Sequence, residues 1–291
     1  MYYKSYHCCL GRWKVENLKD SVTYKHAVRS VTHDPKTDDF VVTVENLDAK
    51  EFLPDQRFDY ICVASGHYST PNFPEYPGIE TFEGRVLHSH DFRNSGEFAG
   101  QKVLLVGSSY SGEDIAVQAI KYGAKEAIGK VPTLYKNVSR FSTLLVVCYR
   151  SVPTGLPWPQ TIVEKPLLTK VQGKTIYFSD NTVAENVDTI IFCTGYVGHF
   201  PFMQDSLRHR SLNSLYPPGL YKGLLYNAGG NGKVLYLGRQ DVIYTFTMFD
   251  VQAFWTAKYI LGDIKLPKMK ERENHWKSWF ERYVCFFLVI Q

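Results

Sequence analysis

No run of five or more lysines and arginines occurs in this chain, and 33 basic against 29 acidic residues leave a formal net charge of only +4. So small and dispersed an excess is not the footprint of a DNA- or RNA-binding surface. No stretch approaches the roughly 18–20 apolar residues of a membrane span, and the terminal CFFLVIQ is too short to make one. The opening MYYKSYHCCLGRW has neither a basic region nor a continuous apolar one, so no signal peptide is expected. Cysteine is sparse: Cys8, Cys9, Cys62, Cys148, Cys193 and Cys285 form no CxxC pair. That usage points to free thiols in a reducing, cytoplasmic setting. Cys62 and Cys193 lie in apolar runs and are expected to be buried.

What is present is a chain of 291 residues, long enough for a large core and one or two domains. Aromatic residues reach 15%, which suits an aromatic core or a flat apolar ligand. VTYKHAVRSVTHDPKTDDFVVTVENL reads as two strands joined by the DPKTDD turn. Tyr60–Ala64 has no polar alternation and reads as a strand buried on both faces of a parallel sheet. Lys102–Val106 is a further strand, followed by a helix over Ser111–Tyr122 that stops at Gly123. LLTKV and KTIYFSD are short strands, KVLYLGRQD a buried one, and FTMFDVQAFWTAKYILGD has the apolar spacing of an amphipathic helix ending at Gly262. FDYICVASGH and VDTIIFCTGY align Asp59 with Asp188, Ala64 with Cys193, Ser65 with Thr194 and Gly66 with Gly195. A strand ending in a small-residue turn thus occurs twice.

The stretch KVLLVGSSYSG carries the chemistry. A dinucleotide turn needs residues without bulk where a pyrophosphate comes close, and free N–H groups at a helix N-terminus. Gly107 and Gly112 meet that need, while Ser109 stands at the middle glycine position and can donate its hydroxyl to a phosphate. The same residues also nearly fit a nucleophile elbow, GxSxG, with Ser109 as nucleophile and Ser111 in the last glycine's place. Asp250 and His275 would then complete an α/β-hydrolase triad. His88 and His90 could suggest a metal, but no carboxylate or cysteine cluster completes a ligand set, so they read as loop histidines and no metal is expected.

The motif order resembles the flavin-containing monooxygenases. Phe82, Gly84, His88 and Phe92 match that family's identifying pattern, GSSYSG matches its NADPH turn, and VASGH and FCTGY match its two interdomain linkers. STPNFPEYPG, LYKG, GRQD and TMFDVQAF are most similar to the trimethylamine monooxygenase branch. The resemblance covers most of residues 10–262. It implies an α/β fold, with a Rossmann-type NADPH-binding domain inserted in an incomplete FAD-binding Rossmann-type domain. The expected parts are 1–72 and 197–291 for the FAD domain and 73–196 for the NADPH domain.

The resemblance also implies cofactors FAD and NADPH, and a small amine or sulfide oxygenated with O2 through a flavin C4a-hydroperoxide. A homodimer is compatible with it. Gly107, Ser108, Ser109, Tyr110, Ser111 and Gly112 would contact NADPH, with Tyr110 near the nicotinamide and flavin as the catalytic candidate. Arg150 and Ser151 match the position that receives the 2′-phosphate. Val28, Gln240 and Thr245 would approach FAD. Two departures stand out. The family's first segment, with the GxGxxG that holds the FAD pyrophosphate, has no counterpart here, which gives the alternative of a non-catalytic fragment that at most binds NADPH. Residues 129–146 also have no counterpart: Arg150 stands 43 positions beyond Gly107 where the fold expects about 20, so 129–146 read as an insertion. The tail 284–291 reads as equally foreign to the family.

Overall fold

The computed structural model describes residues 18–108, 110–122, 145–148, 162–211, 217–240 and 245–289. They divide into two compact units. The first takes Met1–His67 and Gly198–Ile290, and the second the uninterrupted Tyr68–Val197, so one unit is inserted into the other. Among the described residues no helix is long and apolar enough to cross a membrane.

The first unit opens with β1 (His26–Asp34) and β2 (Asp39–Asn46), antiparallel across the DPKTDD turn. The turn closes through the Asp38 N–H on the Asp34 carbonyl at 2.8 Å, with Asp38 in the left-handed region, which Asp tolerates. β3 (Glu51–Phe52) and β4 (Gln56–Phe58) both pair with β2. From β4, Arg57 donates to Asp34 at 2.7 Å and to both Asp39 oxygens at 2.7 and 2.6 Å, holding both carboxyls below the usual carboxylate range. β5 (Ile61–Val63) then leads to the first crossing.

The inserted unit begins with β6 (Thr70–Pro71), β7 (Arg85–His88), β8 (Val103–Val106) and α1 (Tyr110–Lys121). β9 (Leu145–Cys148) and β10 (Ile162–Lys165) follow. The stretch read as an insertion therefore does not end clear of regular structure, since its last two residues open β9. β11 (Leu168–Gln172), β12 (Thr175–Phe178) and β13 (Val183–Ala184) form an antiparallel sheet, and β14 (Thr189–Phe192) and β15 (Tyr196–Val197) close the unit. The central sheet runs β10-β9-β8-β14-β7 with every pair parallel. All four residues of β8 are buried because both faces are covered. Val103 and Leu105 pack toward Ile115, Ala116 and Ala119 of α1, while Leu104 and Val106 pack toward Val171, Ile176 and Phe178 of the smaller sheet.

The chain returns to the first unit through β16 (Leu220–Tyr221), β17 (Leu225–Tyr226) and β18 (Val234–Tyr236), then α2 (Thr245–Ile260) and α3 (Met269–Val289). Phe40, Val42, Val63, Phe200, Met203 and Tyr236 share its core. Tyr236 is the largest fully buried side chain among the described residues; its hydroxyl donates to the Leu207 carbonyl at 2.6 Å and accepts from the His209 N–H at 3.1 Å.

Two expectations fail here. β5, at the end of the order β16-β17-β18-β5, is not buried on both faces: Val63 is buried, Cys62 exposed. Cys193, just after the interior strand β14, is buried as expected, and burial pushes its thiol up to about 12. α2 forms as expected but buries Gln252 and Thr256 while leaving Phe246, Val251 and Phe254 exposed. Spacing set the helix, and its neighbours chose the face.

Candidate functional site

In the inserted unit the chain turns at the carboxyl ends of β8 and β14, where open α/β sheets place their ligands. Gly107 has φ +108°, and a Cβ there would stand 2.5 Å from the Cys193 carbonyl oxygen. Gly112, buried in the first turn of α1, would bring a Cβ within 2.2 Å of the Gly107 carbonyl oxygen. Strand, turn and helix therefore meet backbone to backbone. Ser108 is half-buried, whereas Tyr110 and Ser111 open α1 on the surface, Tyr110 with 74% of its area exposed. The first N–H groups of α1 have no partner within the helix and carry the positive end of its dipole. The arrangement fits a dinucleotide phosphate: a close approach without side chains, and donors facing it. Ser109, Arg150 and Ser151 lie outside the described residues.

The histidine pair is explained without a metal. His88 is fully buried, its Nδ1 accepts the His90 N–H at 3.0 Å, and its ring packs on Phe73 and Tyr196 at 5.3 and 5.2 Å. It caps the 3-10 turn Ser89–Asp91, and burial holds its pKa below the usual histidine value. It is thus no loop histidine but the last residue of β7. Gly84 has a similar local reason, since a Cβ there would lie 2.3 Å from the Asp188 carbonyl that accepts the Arg85 N–H. Among the described residues no group of three or more His, Cys, Asp or Glu could hold a metal ion.

In the first unit, Val28 sits beside a β-bulge, where the register of β1 slips between Val28 and Ser30. Bulges free backbone groups for other partners, which suits a residue expected to act through its backbone. With Val44, Phe58, Cys62, Ala64 and Ser65, Val28 lines a cavity of about 530 Å³. Gln240 and Thr245 do not line it. Gln240 lays its side chain against Gly223, where a Cβ would meet Oε1 at 2.0 Å, and Thr245 is the first residue of α2. Gly223 closes the LYKG segment cited for the resemblance, where it was given no role of its own. Of the residues named for a hydrolase, His275 packs on Tyr221 at 4.9 Å and Asp250 is exposed on α2.

The model of the family described as flavin-binding monooxygenase-like matches residues 12–132 and 152–287. The chain belongs to that family. Arg150 and Ser151 fall in the stretch that the match passes over. A trimethylamine monooxygenase of Methylocella silvestris is 46% identical over 96% of this chain and 57% of its own length. One from Pelagibacter ubique is 40% identical over 94% of this chain and 56% of its own. The crystal structure of Tmm from Pelagibacter sp. superposes with a TM-score of 0.79 at 38% identity, covering 94% of this chain and 56% of that one. S-allyl-L-cysteine S-oxygenase from Allium sativum shares the fold, with a TM-score of 0.74 at 23% identity. The chain spans about half the length of the curated relatives it matches.

Proposed function

We propose that this family member uses NADPH and FAD to oxygenate the nitrogen or sulfur of a small amine or sulfide with O2. The inserted unit would take NADPH, and the first unit would contribute to the FAD site. The observation that carries this reading is the turn in which Gly107, Gly112 and Cys193 pack backbone to backbone in front of the α1 N-terminus. Bound there, the pyrophosphate would accept N–H bonds from Ser108 to Ser111, Ser109 adding its hydroxyl. Tyr110 offers an exposed ring beside the phosphate site, suited to lie against a nicotinamide. Arg150, whose guanidinium can grip a phosphate with two bonds, would receive the 2′-phosphate, with Ser151 beside it. Val28, through its freed backbone, Gln240, whose side chain lies over Gly223, and Thr245, the first residue of α2, are the proposed flavin contacts. FAD, when bound, supplies the oxygen chemistry. A cytoplasmic homodimer completes the reading.

The test is a flavin spectrum in the purified protein and its bleaching by NADPH. A colourless protein that binds NADPH without oxidising it would favour the second reading, a dinucleotide-binding chain without turnover, which the 57% share of its relative's length keeps open. Arg150→Ala should weaken NADPH by roughly 10²-fold, the worth of about two charge-assisted hydrogen bonds, and NADH far less. Equal losses for the two nucleotides, measured by titration calorimetry, would remove Arg150 from the phosphate site.

A further inference from the structure

We infer that Gln252 and His67 are positioning residues that hold the backbone of one residue, Gly238, from both sides and through it set where the Gln240 side chain stands. The inference rests on the proposed function only for what Gln240 touches.

Gly238 follows β18 with φ +70°, and a Cβ there would meet the Phe249 ring at 3.1 Å. Its N–H donates to Gln252 Oε1 at 2.8 Å, and its carbonyl accepts from His67 Nδ1 at 2.6 Å. A carbonyl cannot donate, so His67 is the tautomer with its proton on Nδ1. Both clamping side chains are buried, Gln252 at 2% exposure and His67 at 8%. They arrive from opposite directions in the chain: His67 ends the VASGH turn after β5, and Gln252 lies on the inner face of α2. One residue thus has both of its backbone polar groups, in two consecutive peptide units, tied to side chains.

Two residues on, Gln240 is confined as well. Its Oε1 occupies the space a side chain at 223 would fill, 2.0 Å from where that Cβ would be, and Gly223 itself has φ +71°. The backbone is fixed on one side by the clamps, and the side chain is fixed on the other by the gap over Gly223. The choice of residue in α2 points the same way. The helix leaves Phe254 67% exposed and Val251 58% exposed while it buries an amide whose Nε2 has no hydrogen-bond partner among the described residues. Burying an amide half-satisfied opposes folding, so an apolar residue at 252 would serve a purely structural helix better. What only glutamine supplies there is the acceptor for Gly238.

The test uses the full chain and needs no flavin for its first arm. Gln252→Met keeps the length and removes the acceptor; His67→Leu removes the donor, while His67→Asn can restore one. In Gln252→Met the Gly238 amide should exchange with solvent about 10-fold faster, the change expected on losing one hydrogen bond. The Gln240 side-chain amide resonance should shift in Gln252→Met and His67→Leu and return toward its original position in His67→Asn. Unchanged Gly238 exchange or an unmoved Gln240 resonance in Gln252→Met would overturn the inference. The second arm reads flavin affinity by fluorescence titration. Gln240→Ala, Gln252→Met and Gly223→Ala should each weaken it by a similar factor, with Gln240→Ala/Gln252→Met no weaker than either single variant. Losses that multiply would also overturn it. If Gln240→Ala leaves flavin affinity unchanged, the flavin contact fails, while the exchange and resonance arm still decides whether the clamp positions Gln240.

Discussion

Gly107→Ala should lose NADPH binding and destabilise the inserted unit by roughly 3–5 kcal/mol, lowering its unfolding temperature by on the order of 10 °C. Two costs add. At φ +108° an L-residue is strained, and the new Cβ would press on the Cys193 carbonyl oxygen at 2.5 Å and its carbon at 3.0 Å. Neither atom is free to yield, because the Cys193 N–H is bonded to the Val106 carbonyl at 2.8 Å and β14 pairs with β8 along its length. Gly112→Ala separates the two causes. Its helical backbone accepts alanine, yet the Cβ would stand 2.2 Å from the Gly107 carbonyl oxygen and push α1 off the turn. A loss is expected in both variants, and any excess in Gly107→Ala reads the strain at φ +108°. Gly96→Ala, where the nearest atom would be the Asn94 Oδ1 at 3.3 Å, serves as the control and should stay within about 0.5 kcal/mol. Differential scanning calorimetry with NADPH titration reads all three. A Gly107→Ala protein with unchanged melting and NADPH affinity would mean the turn is not built on this contact.

Acid should weaken the first unit through one histidine. His209 is 2% exposed, and its Nε2–H donates to the Pro218 carbonyl at 3.0 Å while its Nδ1 is buried without a partner among the described residues. Burial, with the nearby positive Arg239, brings its pKa down to about 4 against the bond to Pro218, which raises it. A histidine with a depressed folded pKa stays neutral in the native state while the unfolded chain takes up a proton below about 6.5. Its contribution is therefore complete above pH 6.5, falls as pH drops toward 4, and changes no further below that. At pH 5 the loss is about 2 kcal/mol, nearing 3 at pH 4. His88 and His275, also depressed by burial, titrate in the same direction, so the comparison must isolate His209. His209→Gln keeps a donor for Pro218 and cannot titrate. Urea unfolding at pH 7 and pH 5 should show wild type losing about 2 kcal/mol more than this variant. Equal losses would place the acid sensitivity elsewhere. The depressed carboxyls of Asp34, Asp38 and Asp39 lose their contribution only below about pH 4, outside this window.

Much of the candidate site was legible because it is local. A four-residue apolar run, a glycine, two serines and a glycine inside the next helix define a strand, a turn and a close helix packing within eleven positions. The DPKTDD hairpin was legible for the same reason. His88 was not. Nothing in HSH says that one ring will turn back to cap the next residues while packing between Phe73 and Tyr196, because those aromatics come from distant parts of the chain. Gln252 was likewise hidden: it stands on a helix full of aromatics, and its importance lies in a peptide fourteen positions earlier.

The amino-acid order by itself determined the strands and helices, the paired strand-and-turn segments ending at Gly66 and Gly195, the glycine positions of the turn after β8, and the motifs that mark the family. These depend on spacing and on residues that only one backbone conformation accommodates. The tertiary structure alone decided that Cys62 faces outward from β5, that α2 turns Gln252 inward and Phe254 outward, and that His67, Gly223 and Gln252 converge around Gly238 and Gln240. Each of those outcomes depends on what lies across from a residue. Periodicity describes a single element and does not specify which neighbours will cover it.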